Sequence, residues 1–145
     1  MSPEGQRLIG TLGLRAIKDA KWTAAAVGGL TLGADPIAYA ICHTSAEDKQ
    51  PLRSFTVRKE PKGHGTGKQV EGPVASGDRV VVVEDVITTG GSASKAVEVL
   101  KREGIIPVGI LALVDRQEGG RETLEQLGLT VVSLTTAAEI VPHLA

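Results

Sequence analysis

A chain of 145 residues with 41% apolar residues, 23% charged residues and a net charge of −1 is long enough for one domain with its own core, and it carries no global basic field to draw it onto nucleic acid or anionic lipid. Aromatic residues, at 2%, leave an aliphatic core and no stacking platforms for single-stranded nucleic acid. The single cysteine, Cys42, excludes an internal disulfide and a CxxC zinc site and fits a reducing cytoplasm, while the lack of any apolar run near ~18 residues, or of a secretory-type start in MSPEGQRLIG, gives no expectation of a membrane span or signal.

In chain order, Ser2, Pro3 and Glu4 read as N-cap, first-turn proline and first-turn acid of a helix to about Ala20, with Leu8, Ile9, Leu12 and Ala16 on one face. WTAAAV (22–27) predicts a strand ending at Gly28-Gly29. GADPIAYAICHTSA predicts a helix with Asp35 as N-cap and Pro36 at its first position. LRSFTVR (52–58) alternates and predicts a strand. Residues 59–78 are polar and glycine-rich, without a predicted element. RVVVVE (79–84) predicts a strand and SASKAVEVLKREG (92–104) a helix ending at Gly104. VGILALV (108–114) and TVVSL (130–134) predict two more strands, with a helical stretch near 121–127 between them.

Unbroken aliphatic runs such as Val80–Val83 suit strands covered on both faces, so the expected fold is α/β: one domain, residues 1–145, with a mainly parallel twisted sheet of about five strands flanked by helices. Ligands in such sheets bind at the carboxyl ends of the strands. Here those ends carry Gly28-Gly29, Arg58-Lys59, Glu84-Asp85 and Asp115-Arg116, so glycine or charge gathers at one edge.

The stretch VVVVEDVITTGGSASKA (80–96) carries the strongest chemical signal. Val86, Ile87, Thr88, Thr89, Gly90, Gly91 and Ser92 form a turn between strand and helix. Its glycines let backbone N–H groups approach a ligand, its hydroxyls add donors and the helix adds its positive end, which together make a phosphate cradle. Glu84 and Asp85 would repel phosphate, but they suit sugar hydroxyls, which donate to carboxylates, and a nearby magnesium ion. The stretch therefore reads as a sugar-phosphate site. The alternative is an ordinary strand–turn–helix with Ser92 as cap and two solvated acids.

VVVVEDVITTGGS closely resembles the phosphoribosyl-pyrophosphate motif of the type I phosphoribosyltransferases. VGGLTLGADPIA, FTVRKEPKGHGTGKQVEG and ALVDRQEGG, in that order, resemble further segments of the orotate phosphoribosyltransferase family, and the resemblance covers nearly the whole chain. It implies the type I phosphoribosyltransferase fold and transfer of ribose 5-phosphate from phosphoribosyl pyrophosphate to orotate, with Mg2+, as a step of UMP biosynthesis in the cytoplasm. It also implies a homodimer in which loop 58–72 of one subunit serves the other's site, with Lys59, Lys62, His64 and Asp85 catalytic. Gly28-Gly29 would meet the pyrophosphate through backbone groups, and Thr88 and Arg116 would hold orotate. The family carries an N-terminal hood segment ahead of the point matching Met1-Ser2-Pro3, so the expectation is a hood-truncated chain with weakened orotate binding. Glu84 stands where many relatives have aspartate.

Arg58, Lys59, Lys62, His64 and Lys68 bring cations and hydrogen-bonding groups to one segment, and Gly63, Gly65, Gly67 and Gly72 give it backbone freedom. Cations arriving by loop closure would stabilise the charge that grows on a departing pyrophosphate, with His64 as proton donor. A solvated charged loop is the plainer reading. A nucleotide P-loop is rejected, since in KGHGTGKQ the Gly-Lys pair is followed by Gln69 and Lys62 stands where the first glycine belongs. A plain tight turn is the alternative for Gly28-Gly29, and an ion pair with Asp115 or Glu118 for Arg116. Cys42 reads as a small buried hydrophobe, Trp22 and Tyr39 as packing residues, and His43 and His143 as too isolated for a metal. Two further classes remain: a non-catalytic binder of phosphoribosyl pyrophosphate or a nucleotide, and a partner subunit that completes another chain's site.

Overall fold

The computed structural model describes residues 1–63 and 67–144. Helix α1 (Pro3–Asp19) is capped by Ser2, whose Oγ accepts from the Gly5 N–H at 3.1 Å. Strand β1 (Ala26–Leu30) is followed by α2 (Ala34–Thr44), a short 3-10 turn (Ser45–Glu47) and β2 (Arg53–Val57). Then come β3 (Val70–Glu71), β4 (Arg79–Ile87), α3 (Gly91–Arg102), β5 (Ile106–Asp115), α4 (Gly120–Glu125), β6 (Val131–Thr136) and α5 (Ala137–Ile140).

The strands form one sheet in the order β3-β2-β1-β4-β5-β6. Five of them are parallel neighbours, as expected, and the two-residue β3 adds a sixth, antiparallel to β2. Because successive side chains point to opposite faces, the valine run divides evenly. Val80 and Val82 pack with Phe55, Leu100, Ile110 and Leu124 beneath α3 and α4, while Val81 and Val83 pack with Leu14, Ile17, Ile37 and Ile41 beneath α1 and α2. All four valines are at most 1% exposed, so β4 is the central strand of a two-sided core.

Among the places where the structure differs from the sequence reading, three have a clear physical reason. Gly28 and Gly29 lie inside β1, not in a turn after it. A Cβ on Gly28 would stand 2.2 Å from the Phe55 carbonyl oxygen, and one on Gly29 would stand 2.3 Å from that of Val83. These glycines let a central strand pack tightly against its neighbours. Asp35 is not the cap of α2, because Gly33 precedes the helix. Its carboxylate instead accepts from Thr31 Oγ1 at 2.7 Å and Thr56 Oγ1 at 2.9 Å, tying the end of β1 to β2. Strand β4 runs three residues past Glu84, since β5 continues beside it, with Val86 opposite Val114 and Ile87 opposite Asp115. Tyr39 is half exposed rather than packed away. Among the described residues no helix is long and apolar enough to cross a membrane.

Candidate functional site

The chain leaves β1 toward β2 on one side and β4 toward β5 on the other, so the sheet reverses its winding between β1 and β4. The crevice above such a reversal is where open α/β sheets bind ligands. The β4–α3 connection beside it carries Thr88, Thr89 and Gly90, singled out from the sequence, while the β1–α2 turn enters through Thr31 and Gly33.

Strand β4 delivers the two acids to opposite faces. Glu84 points with Val80 and Val82 and is 7% exposed, whereas Asp85 is open to solvent. The Asp85 carboxylate accepts from the Val86 N–H at 2.8 Å, and a Cβ on Gly33 would lie 2.7 Å from its other oxygen. The turn between β1 and α2 therefore abuts this carboxylate, and bulk at position 33 would push it away. Burial, and then the neighbouring Asp85, push the Glu84 carboxyl from 4.5 up to about 8, so it is largely protonated at neutral pH.

That shift has a signed consequence. An acid with a raised folded-state value binds its proton more tightly in the folded chain than in the unfolded one. Its contribution to stability is full below pH 4.5 and is lost as the pH rises through about 8. Glu84→Gln, which cannot ionise, should gain thermal stability relative to the parent chain as the pH is raised across that window. Melting curves whose difference stays constant with pH would mean that Glu84 does not carry this linkage.

Beyond Ile87 the backbone turns into the cradle. Gly90 has φ +86°, the left-handed region that disfavours side chains, and a Cβ there would lie 3.0 Å from the Gly120 carbonyl oxygen. Gly120 is equally constrained, since a Cβ on it would meet the Thr88 carbonyl oxygen at 2.4 Å. The start of α4 is thus pressed against the turn and sets its shape. Gly90, not Ser92, precedes α3 and offers no side-chain hydrogen bond to the helix. The first N–H groups of α3 have no partner within the helix, so together with the exposed Thr89 and Ser92 they form an anion-accepting end.

Arg58, Lys59 and Lys62 come together on the other flank. They line a hollow of about 630 Å³ with Thr31, Asp35 and Tyr39. Asp35, Glu60 and Glu71 line the same hollow, so its cations are not alone there. Thr31 belongs to the turn whose Gly33 touches Asp85, so this turn joins the hollow to the acids of β4. Arg58 pairs with Glu71 at 3.1 Å, and Glu60 reaches Lys95 of α3 at 3.6 Å. Lys59 and Lys62 are exposed. His64 lies outside the described residues.

Arg116 follows β5, and its backbone N–H donates to the Ile87 carbonyl at 3.0 Å, which places it beside the cradle. Its guanidinium pairs with Glu118 at 2.8 Å in an exposed contact, a partner the sequence had offered. Asp115 does not join that pair. It is 3% exposed and accepts from Arg121 Nε at 3.0 Å and from the Gln117 N–H at 2.8 Å. Arg121 continues to the Val131 carbonyl and Ser133 Oγ, locking the corner of β5, α4 and β6. Sequence reasoning missed this lock, because an Asp and an Arg six residues apart carry no local signal. Among the described residues no three His, Cys, Asp or Glu side chains are grouped closely enough to hold a metal by themselves.

The family described as "Phosphoribosyl transferase domain" matches residues 20–132. An orotate phosphoribosyltransferase of Aquifex aeolicus is 50% identical over 138 residues, covering 95% of this chain and 74% of that protein. One from Rhodopirellula baltica is 49% identical, covering 94% and 72%. Among solved structures, the Mycobacterium tuberculosis orotate phosphoribosyltransferase in complex with phosphoribosyl pyrophosphate superposes with a TM-score of 0.82 at 40% identity, covering 93% of this chain and 75% of that one.

Proposed function

The chain belongs to the orotate phosphoribosyltransferase family, and from that membership we propose how its residues divide the reaction of orotate with phosphoribosyl pyrophosphate to give orotidine 5′-phosphate and pyrophosphate. The observation that carries the assignment of sites is the cradle on the reversal point of the sheet, with the two acids of β4 leading into it and three cations across the Thr31–Gly33 turn. No observation favours a non-catalytic binder.

The N–H groups and hydroxyls of Val86 to Ser92 hold the 5′-phosphate, and the Glu84 and Asp85 carboxyls meet the ribose hydroxyls. Arg58, Lys59 and Lys62 take the pyrophosphate. Gly28 and Gly29 shape β1 from within, so the backbone contact to pyrophosphate expected of them passes to the turn that follows. Thr88 and Arg116 face orotate. The exposed Arg116–Glu118 pair is worth little in water, so a carboxylate on the base can replace Glu118. As the bond from ribose C1 to the pyrophosphate oxygen breaks, positive charge grows on the sugar and negative charge on the leaving group. The lysines stabilise the latter, and His64 is assigned proton donation to it. Catalysis is then positioning plus electrostatics.

Magnesium fits this donor set, with Asp85 as a nearby carboxylate and the donor's phosphates as the main ligands, and it would neutralise the pyrophosphate. The working form is a homodimer with loop 58–72 shared between subunits, in the cytoplasm as a step toward UMP. The deciding assay is formation of orotidine 5′-phosphate from the two substrates with magnesium, with loss of turnover on chelation. No product from folded, magnesium-loaded protein would end this reading.

Asp85→Asn should weaken binding of phosphoribosyl pyrophosphate on the order of 1–3 kcal/mol, because a charge-assisted hydrogen bond to ribose is lost. Calorimetric titration gives the number directly. Unchanged affinity would remove Asp85 from the site.

A further inference from the structure

Gln69 entered the sequence reading only as the residue that rules out a nucleotide P-loop, yet it is the most fully engaged polar side chain near the cationic segment. It is 3% exposed. Its Nε2 donates to the Arg58 carbonyl at 3.1 Å and the Lys59 carbonyl at 3.5 Å, and its Oε1 accepts from Arg102. Its backbone N–H donates to Glu103 Oε1 at 2.8 Å, and its carbonyl accepts from the Arg58 N–H at 2.8 Å. The two ends of the 58–69 segment are thus fastened to each other. Both are fastened in turn to the C-terminal end of α3, the helix whose other end forms the cradle.

The side-chain contacts go to the carbonyls of two of the residues that carry the cations. A buried amide with both of its polar ends occupied is a rigid reference point, and a backbone held by it loses the freedom that would blur the position of the Lys59 ammonium. Asn could not span the same gap, and Glu would set a carboxylate against two carbonyl oxygens.

We propose that Gln69, braced by Arg102 and Glu103, is the positioning residue of the pyrophosphate-binding segment, aligning Arg58 and Lys59 on the leaving group without touching it. This rests on the reading that Lys59 serves pyrophosphate, so Lys59→Ala is measured in parallel.

Two probes separate the halves of the site: inorganic pyrophosphate, which calls on the cationic segment, and ribose 5-phosphate, which calls on the cradle. Gln69→Ala should weaken pyrophosphate binding and lower kcat by about 10- to 100-fold, the scale of a reacting group displaced by roughly an ångström. Binding of ribose 5-phosphate should stay within about twofold of the parent, since nothing in the cradle has moved. Gln69→Glu, similar in size but lacking the amide donor, should behave like Gln69→Ala. Should Gln69→Ala fail to fold, Arg102→Met is read in its place, because it removes the brace from an exposed helix end and should give the same split.

Equal weakening of both probes, or of neither, overturns the proposal. If Lys59→Ala weakens pyrophosphate binding and the Gln69 variants do not, the fastening alone is wrong. If Lys59→Ala leaves pyrophosphate binding intact, the assignment of Lys59 fails first, and the proposal falls with it.

Discussion

Replacing Lys59 with alanine is expected to lower kcat by about 100- to 1000-fold, the range found when one preorganised group facing a developing charge is removed. Affinity for the donor should change far less, since the lysine's charge matters most once the bond to pyrophosphate has begun to break. The side chain is exposed and lines the hollow beside Thr31 and Asp35, so alanine leaves no buried void and the fold should be intact. Steady-state kinetics with the donor varied measures both parameters. A rise in KM at constant kcat would place Lys59 in ground-state binding only. The proposed sharing of the loop adds a second readout. Mixing Lys59→Ala chains with Asp85→Asn chains should restore part of the activity, because one of the two sites in the mixed dimer keeps both groups. Complete inactivity in a mixture shown to exchange subunits would place the loop in its own subunit's site.

The largest effect on stability should come from Asp115→Ala, which is expected to cost about 3 kcal/mol, the low end of the range for orphaning one member of a buried ion pair. The low end applies because the Arg121 side chain retains 32% exposure and can recover some hydration. Denaturant unfolding at neutral pH measures the loss. Replacing Arg121 with methionine in the same chain should return part of it, since the unpaired guanidinium is then gone. A loss under ~1 kcal/mol, typical of an exposed pair, would mean that packing alone holds this corner. The corner leads directly into Arg116 and into the Gly120 contact with the cradle, so orotate turnover should fall in parallel.

The aliphatic strands and the turn chemistry were legible because they are local. Val80–Val83 announces a strand buried on both faces, and the hydroxyls and glycines of 88–92 announce a turn before a helix. The features that escaped depend on distant partners. Gly28 and Gly29 look like a break in a strand, and only the nearness of Phe55 and Val83 shows why a central strand needs them. Asp35 stands just before a proline as a cap would, but two threonines, Thr31 from the turn after β1 and Thr56 from β2, claim its carboxylate. The pair Val70–Glu71 is too short to show a period and pairs only because β2 lies beside it. Gln69 sits in a polar, glycine-rich run where nothing marks a buried side chain. The sequence identified which residue types gather at the carboxyl edge of the sheet, and the structure added what braces them.

The register of β1 against β4 joins Ala26 to Val80 and Gly28 to Val82, residues far apart in the chain with β2 and the cationic segment between them. A growing polypeptide can form α1 and α2 by local contacts, but the donor crevice exists only once this distant pair has closed. Pairings of that kind form late, because a long stretch of chain must be gathered before any contact repays its entropy. Phosphoribosyl pyrophosphate should therefore find no foothold on partly folded chains, and it should slow unfolding only through steps that separate β1 from β4.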